Sequence, residues 1–337
     1  YYNTTANKGN TDLYLTSSDG VGLARKISNY EGHENNARFR PDGKKIAFLL
    51  NGFLYEMNAD GSDQNKLSDI EMNGFLWAPS GNRIVFIADV KYRQNTKEQY
   101  PDLPLANARV YNDLMYRHWK SWDDQHDSNV FFIDYKDGTL SGVPMNIVNE
   151  AFEAPTEPND GIEQIAVSTD GRYIAYSCRK LIGKAYSLST NSDIYLYDIQ
   201  SKITKNLSVT NLGYDKNPIF SSDGKFLIWN SMYTPGYEAD KNSITYYDLS
   251  NNKIQNLSKN FDNDAENAVF SLDQKSIYFI SAIKGCKQLM MQEIASAKVK
   301  QITNGIHDYN SFIVSNKGLI ATKCSMTQPV EIFNVTT

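Results

Sequence analysis

The sequence lacks the motifs by which catalytic and cofactor-binding chains are usually recognised. Its 337 residues contain no Gly-x-Ser-x-Gly elbow of a serine hydrolase, no His-Glu-x-x-His zinc site and no Gly-x-Gly-x-x-Gly phosphate loop. We therefore expect no catalytic residue, no cofactor and no metal ion in this chain.

Cysteine is also scarce. Cys178, Cys286 and Cys324 are odd in number and irregularly spaced, which excludes a disulfide framework and a Cys-x-x-Cys metal site. Isolated cysteines are most often inert core residues. Cys286 and Cys324 nevertheless fall in successive repeats and could meet, and an oxidising compartment would permit that bond.

Charge and hydrophobicity argue against nucleic-acid binding and against a membrane span. The net charge is -5, and the 34 Lys and Arg residues are scattered, so we expect no nucleic-acid partner. No window of eighteen apolar residues occurs, and residues 1–10 lack the basic and apolar regions of a signal peptide, so we expect no membrane span. With 41% hydrophobic and 12% aromatic residues, the chain can form a folded core.

What the chain does contain is repetition. Five segments each combine a short apolar run, a turn of the Asp-Gly type and a second alternating run: 37–49, 76–87, 166–177, 218–229 and 268–279. Each segment is typical of a β-hairpin. Because one such unit cannot bury its own hydrophobic face, the repeats must pack on one another, and short strands without helical periodicity favour a β-propeller.

A second signature follows each hairpin. It is a strand, a turn and a short strand that ends in Leu-Ser or Ile-Thr, with copies at 12–28, 53–68, 193–208, 244–258 and 288–303. Hairpin and second signature together make four strands, a to d, which is one blade. With the partial copies at both ends, we predict a single all-β domain over 1–337, a seven-bladed β-propeller with incomplete first and last blades.

The extra length of the chain is concentrated at one edge of the blades. The b-to-c connection is long at 89–128, an insertion within blade three, and again at 179–192 and 230–242, and the crossing at 149–162 is long as well. In an antiparallel meander these connections emerge on the same face. Long loops on a rigid scaffold usually carry function, so we expect the functional site there.

The largest insertion carries an aromatic pattern. Over 106–122, the helical spacing of Tyr111, Leu114, Met115, His118 and Trp122 predicts a short amphipathic helix. Such a stripe commonly packs a helix onto its scaffold. Alternatively, Arg117, Trp119 and Trp122 form part of a binding wall, because Trp and Arg dominate recognition surfaces.

Carboxylates are the other polar signal at this edge. The crossing carries Glu150, Glu153, Glu157, Asp160 and Glu163, and the 230–242 loop carries Glu238 and Asp240. A solvated acidic rim explains most such charge runs. The functional alternative is that one or two of them bind a cation, above all the α-ammonium group of a peptide. Glu238 is the first candidate because Tyr233 and Tyr237 flank it.

Four segments carry a family resemblance. RHWKSW at 117–122 and the segments 189–195, 213–225 and 230–241 resemble the N-terminal propeller of the prolyl oligopeptidase family of serine peptidases. Within that family the chain is most similar to the dipeptidyl-peptidase V and acylaminoacyl-peptidase relatives. The resemblance implies a C-terminal α/β-hydrolase domain with a Ser-Asp-His triad, which the propeller covers so that only short peptides enter.

The resemblance also marks individual positions. Its matched motif positions are Arg117, His118, Trp119, Trp122, Glu238, Asp240 and Lys241. Lys120 stands where the family often has Asp, so no acidic role is expected there.

Our leading hypothesis is therefore a non-catalytic propeller domain of a periplasmic or secreted serine exopeptidase of the dipeptidyl-peptidase type. It would gate short peptide substrates and recognise their N-terminus through Glu238, Asp240, Tyr237, Arg117, Trp119 and Trp122. Its partners would be those peptides, the hydrolase domain of the same polypeptide and, in a homodimer, a second copy. The alternative is a stand-alone TolB-like propeller that acts as a periplasmic protein-binding module.

Overall fold

The computed structural model describes residues 2–156 and 160–336 and shows an all-β propeller with almost no helix. Six blades are present in this part of the chain: five antiparallel sheets of four strands and one of three strands. The strands of each sheet are hydrogen-bonded in chain order, so every blade is a simple meander. The propeller prediction is confirmed, and the count that the sheets support is six.

The first elements are two small hairpins, β1 (Tyr2–Asn3) with β2 (Lys8–Gly9) and β3 (Tyr14–Leu15) with β4 (Arg25–Lys26). Blade A consists of β5 (Glu34–Phe39), β6 (Lys45–Leu50), β7 (Phe53–Asn58) and β8 (Asn65–Glu71). Blade B consists of β9 (Gly74–Trp77), β10 (Arg83–Lys91), β13 (His126–Lys136) and β14 (Thr139–Asn146). The long connection between β10 and β13 contains α1 (Thr96–Gln99) and a hairpin of β11 (Arg117–His118) and β12 (Ser121–Trp122).

A 3₁₀ turn (Ile162–Gln164) leads into blade C, which consists of β15 (Ile165–Val167), β16 (Tyr173–Cys178), β17 (Asp193–Asp198) and β18 (Ile203–Asn206), with α2 (Gly183–Leu188) between β16 and β17. Blade D consists of β19 (Asp215–Phe220), β20 (Phe226–Ser231), β21 (Ser243–Asp248) and β22 (Lys253–Asn256). Blade E contains β23 (Glu266–Phe270), β24 (Ser276–Ile283), β25 (Cys286–Glu293) and β26 (Val299–Gln301), and blade F contains β27 (Asp308–Ser315), β28 (Gly318–Ser325) and β29 (Gln328–Val335).

Turn chemistry explains the repeated hairpins. In blade D, Asp223 accepts hydrogen bonds from the Ser221 hydroxyl at 2.6 Å and from the Lys225 N–H at 3.1 Å. Gly224 follows with a φ of 70°, a left-handed conformation that a residue without Cβ adopts without strain. The same side-chain and backbone bonds recur around Asp170 and Asp273.

The Leu-Ser and Ile-Thr endings also have a physical cause. Each terminal hydroxyl accepts a hydrogen bond from a backbone N–H in strand c of its own repeat or directly before it, and the pairs are Ser28 with Leu13, Ser208 with Ile194, Ser258 with Ile244 and Thr303 with Leu289. The donor–acceptor distances lie between 2.7 and 2.9 Å. The hydroxyl therefore satisfies an N–H that the sheet leaves unpaired, which explains why this residue type recurs at the end of strand d.

The hydrophobic core lies between neighbouring sheets. Each of five hydrophobic clusters joins residues of two neighbouring blades: Leu54 and Phe86 for blades A and B, Val130 and Tyr176 for B and C, Leu196 and Trp229 for C and D, Ile228 and Phe279 for D and E, and Ile280 and Phe312 for E and F. No helix in the described ranges has the length and apolar character needed to cross a bilayer.

The helix predicted over 106–122 is wrong. Residues 117 and 118 instead pair with 122 and 121 in a hairpin, and Trp119 lies in its turn with a φ of 45°. The aromatic residues whose spacing suggested a helix contact each other across the loop instead. Tyr111 stacks on Trp122, with their ring centroids 5.9 Å apart and their planes 10° from parallel. The Tyr111 hydroxyl also donates to the Asp123 carbonyl at 2.7 Å.

We predict that Ser258→Ala lowers the free energy of unfolding by about 1–2 kcal/mol, because the buried Ile244 N–H loses its acceptor. Urea titration measures the change. Ser250→Ala is the control: Ser250 lies in an exposed turn, so its loss should cost less than about 0.5 kcal/mol. Equal losses in the two variants would contradict the role of the strand-d hydroxyl.

Candidate functional site

The long connections come together at one edge of the propeller. Asp113 in the β10-to-β13 connection accepts a hydrogen bond from the Lys184 N–H at 3.1 Å, and Thr190 Oγ1 accepts one from the Gly236 N–H at 2.9 Å. Lys180 pairs with Glu150 of the crossing at 2.5 Å. We call the connections 92–125, 179–192 and 232–242, with the described residues of the crossing, the loop rim.

Contact between the first two loops is close. Gly183 has a φ of 56°, and a Cβ atom at this position would overlap the Asp113 carboxylate. Asp113 also accepts the Leu114 N–H at 2.8 Å, so its side chain ties the β10-to-β13 connection to the first turn of α2.

Aromatic and basic side chains form one part of the rim. Trp122 packs against Tyr111 and Tyr116, and the guanidinium groups of Arg109 and Arg117 lie 5.2 and 5.5 Å from its ring centroid. These distances are those of cation–π contacts. Trp122 is still 41% exposed, so the cluster presents an aromatic surface to solvent.

Trp119 lies at the tip of the same hairpin. It is 74% exposed, and its ring meets the edge of the His118 ring at 4.6 Å. Its side chain is therefore free to contact another molecule.

Most carboxylates of the crossing are already engaged within the protein. Glu150 pairs with Lys180, Glu153 accepts the Ser128 N–H, Asp160 pairs with Lys216, and Glu163 accepts the Gly161 N–H. Burial raises the pKa of Asp160, and Lys216 opposes that rise. Glu157 lies outside the described residues. The acidic crossing is thus largely a set of structural contacts.

The 232–242 loop is closed by Asp240. Its carboxylate accepts the N–H groups of Tyr233 at 2.9 Å and Thr234 at 2.7 Å. Burial acts to raise the pKa of Asp240, but hydrogen bonds from the backbone of Thr234, Lys241 and Tyr233 outweigh it and lower that pKa. Asp240 therefore shapes the loop, and Lys241 anchors the loop by donating to the Phe261 carbonyl at 2.8 Å.

Glu238 differs from these carboxylates. It is exposed, and within ranges 2–156 and 160–336 it makes no hydrogen bond or ion pair. Tyr233 and Tyr237 beside it are 46% and 57% exposed. The loop therefore presents one uncommitted negative charge and two accessible phenol rings.

The two groups of predicted residues do not touch. Among the described residues, no hydrogen bond, ion pair or ring contact joins the Arg117, Trp119 and Trp122 group to the Glu238 loop. The connections that carry them both contact the 179–192 connection, one at the start of α2 through Asp113 and the other beyond the end of α2 at Thr190.

A polar cleft of about 320 Å³ lies at the opposite edge, where the a-to-b turns of blades A and B meet the c-to-d turn of blade B. Its Arg40 is held by Asp42 through two bonds of 3.0 and 2.8 Å and by the Tyr135 hydroxyl at 2.9 Å. Since these contacts use the charge of Arg40 internally, the loop rim is the stronger candidate site.

The sequence interpretation missed Asp215, a buried carboxylate behind the 232–242 loop. It accepts hydrogen bonds from Trp229 Nε1 at 2.8 Å, Ser231 Oγ at 2.5 Å and Asn211 Nδ2 at 2.9 Å. Burial raises the pKa of Asp215 to about 6, against the opposing effect of these bonds. No local pattern marks this carboxylate as buried, because Lys216 and Asn217 follow it directly on β19.

This raised pKa predicts a pH dependence of stability. The folded protein binds the Asp215 proton more tightly than the unfolded chain, whose pKa lies near 3.8. The contribution of Asp215 to the free energy of unfolding is therefore fully present below about pH 4. It falls by on the order of 2–3 kcal/mol as the pH rises through about 6. Chemical denaturation across this window should show a smaller decline for Asp215→Asn, and equal declines would contradict the pKa shift.

Two dipeptidyl-peptidase 5 proteins are similar to this chain over almost its whole length. The chain matches no protein-family model. It is 38% identical to dipeptidyl-peptidase 5 of Porphyromonas gingivalis over 335 residues, which is 98% of this chain and 49% of that protein. It is 34% identical to dipeptidyl-peptidase 5 of Porphyromonas endodontalis, again over 98% of this chain and 48% of that protein. The chain thus spans about half the length of these relatives.

Solved structures support the fold. Uncomplexed acylaminoacyl peptidase of Pyrococcus horikoshii superposes with a TM-score of 0.69 at 17% identity, over 99% of this chain and 48% of that one. The β-propeller domain of the trilobed protease of Pyrococcus furiosus superposes with a TM-score of 0.60 at 14% identity, over 98% of this chain and 86% of that one.

Proposed function

Since this chain belongs with the dipeptidyl-peptidase 5 homologues of the prolyl oligopeptidase family, we propose that it is the propeller domain of a serine exopeptidase that releases dipeptides. It gates the access of short peptides and contributes to recognition of their free N-terminus. The catalytic groups are supplied by a C-terminal α/β-hydrolase domain of the same polypeptide, in the periplasm or outside the cell.

The exposed surface of the loop rim supports the proposed contact with a hydrolase domain. Large apolar side chains protrude from its loops, including Leu105, Trp119, Ile182, Leu188 and Tyr237, each more than half exposed. Exposed apolar side chains that cluster on one face favour contact with another domain or with a ligand. Reading the gene past Thr337 tests the assignment, because a hydrolase domain requires a downstream Gly-x-Ser-x-Gly elbow.

Glu238 carries the proposal for the site. An α-ammonium group needs an accessible carboxylate that no internal cation neutralises, and Glu238 meets this requirement. Asp240 shapes its loop, Tyr237 flanks it, and Arg117, Trp119 and Trp122 provide a separate aromatic wall for the remainder of the peptide.

We predict that Glu238→Gln in the full-length enzyme lowers kcat/KM for dipeptide substrates with a free amine by about 10- to 100-fold, because a charge-assisted hydrogen bond is lost. Substrates of the same sequence with an acylated N-terminus should change by less than about twofold, since they carry no ammonium group. Steady-state kinetics with paired chromogenic substrates measures both values.

The matched control is Glu331→Gln, which removes the same charge from an exposed position on β29. It should leave both substrate classes unaffected. If Glu238→Gln affected free and acylated substrates equally, the ammonium-binding role would be wrong.

We further propose that the ring has seven blades, with the β3–β4 hairpin as a partial first blade. Ile27 beside this hairpin packs with Phe48 of blade A, and Asn334 Nδ2 of blade F donates to the Ser18 carbonyl at 2.9 Å. The hairpin therefore contacts the sheets on both sides, as a blade between them would. An experimental structure with β3 and β4 outside the ring would contradict this count.

A further inference from the structure

A chain of side-chain hydrogen bonds runs from the interior of blade D to the 232–242 loop. The Ser231 hydroxyl donates to Asp215 Oδ1 at 2.5 Å, Ser231 Oγ lies 2.7 Å from Thr245 Oγ1, and Thr245 Oγ1 lies 2.9 Å from the Tyr233 hydroxyl. Asp215, Ser231 and Thr245 are buried, with 1%, 1% and 3% of their surface exposed, whereas Tyr233 is 46% exposed. We call Tyr233, Thr245 and Ser231 the hydroxyl chain.

The carboxylate decides the direction of every bond in the hydroxyl chain. A hydroxyl group has one proton to donate, and Ser231 gives its proton to Asp215. Ser231 must then accept from Thr245, and Thr245 must in turn accept from Tyr233. The Tyr233 proton is thereby directed inward, and the three bonds reinforce one another because they end on a charged acceptor in a buried site.

Tyr233 is the point at which this network meets the loop. Its side chain bonds to the blade, and its backbone N–H bonds to Asp240 at the other end of the same loop. Asn211 adds a second connection from Asp215, because its amide also donates to the Met232 carbonyl at 2.9 Å. Glu238 lies between Tyr233 and Asp240 in sequence and makes no such bond of its own.

We infer that Asp215 is a positioning residue for the Glu238 loop and acts through the hydroxyl chain. An exposed carboxylate on a loop binds an ammonium group well only if the loop is held in place beforehand, since ordering it on binding would cost affinity. The kinetic part of the inference rests on the proposed function; the structural part does not.

Hydrogen exchange tests the structural part. The amides of Tyr233, Thr234 and Gly236 are hydrogen-bonded within the loop or to Thr190, so they report on its order. In the full-length protein, Thr245→Val and Tyr233→Phe should each speed exchange in peptides that span 232–242. Thr245→Ser, which keeps the hydroxyl, should restore the slow rate.

Tyr246→Phe is the matched control. Tyr246 is adjacent to Thr245 on β21, and its hydroxyl makes no hydrogen bond in the described part of the chain. This variant should leave exchange in the loop unchanged. Tyr233→Phe alters only a half-exposed loop residue, so it remains informative if a substitution at buried Thr245 prevents folding.

Kinetics tests the consequence for substrate. Tyr233→Phe and Thr245→Val should raise KM for free-amine dipeptide substrates by about fivefold with little change in kcat, and Thr245→Ser should restore KM to within about twofold. Unchanged loop exchange in both variants overturns the inference. Faster exchange with no dipeptidyl activity in the parent enzyme would instead refute the proposed function and leave the positioning role supported.

Discussion

Burial of the central strands between neighbouring sheets is the constraint on which the rest of this structure depends. Phe86, Tyr176, Trp229 and Phe279 are almost completely covered because a neighbouring sheet packs against them. Strand interiors therefore cannot change in length or polarity without opening a core, and only the connections at the edges can vary. Three connections lengthen at one edge, while the turns at the other edge keep the same Asp-centred bonds.

The part of the structure governed by local chemistry could be predicted from sequence. The turn around Asp223 and the hydroxyl of Ser258 involve residues a few positions apart or within one repeat, so their patterns recur and are recognisable. The 106–122 segment could not be predicted in this way. Its aromatic residues stack across a loop, and Tyr111 meets Trp122 at a spacing that a helix would also give.

Asp215 eluded prediction for a related reason. Its partners Asn211, Trp229 and Ser231 lie on both sides of a hairpin, and nothing in the local sequence shows that the carboxylate is buried. The carboxylates of the rim were identified from sequence, but their spacing does not show which are neutralised. Lys180 and Lys216 engage Glu150 and Asp160, and this pairing distinguishes Glu238 from the others.

The contact between Asp113 and Gly183 has a consequence for how this surface can diverge. The two residues belong to connections of different blades, yet any side chain at position 183 would have to occupy the volume of the Asp113 carboxylate. A larger residue at position 183 is therefore acceptable only if the Asp113 side chain moves or a smaller residue replaces it. A 179–192 loop from a homologue with a larger residue at position 183 would therefore meet Asp113 at the junction, unless the 92–125 loop were exchanged with it.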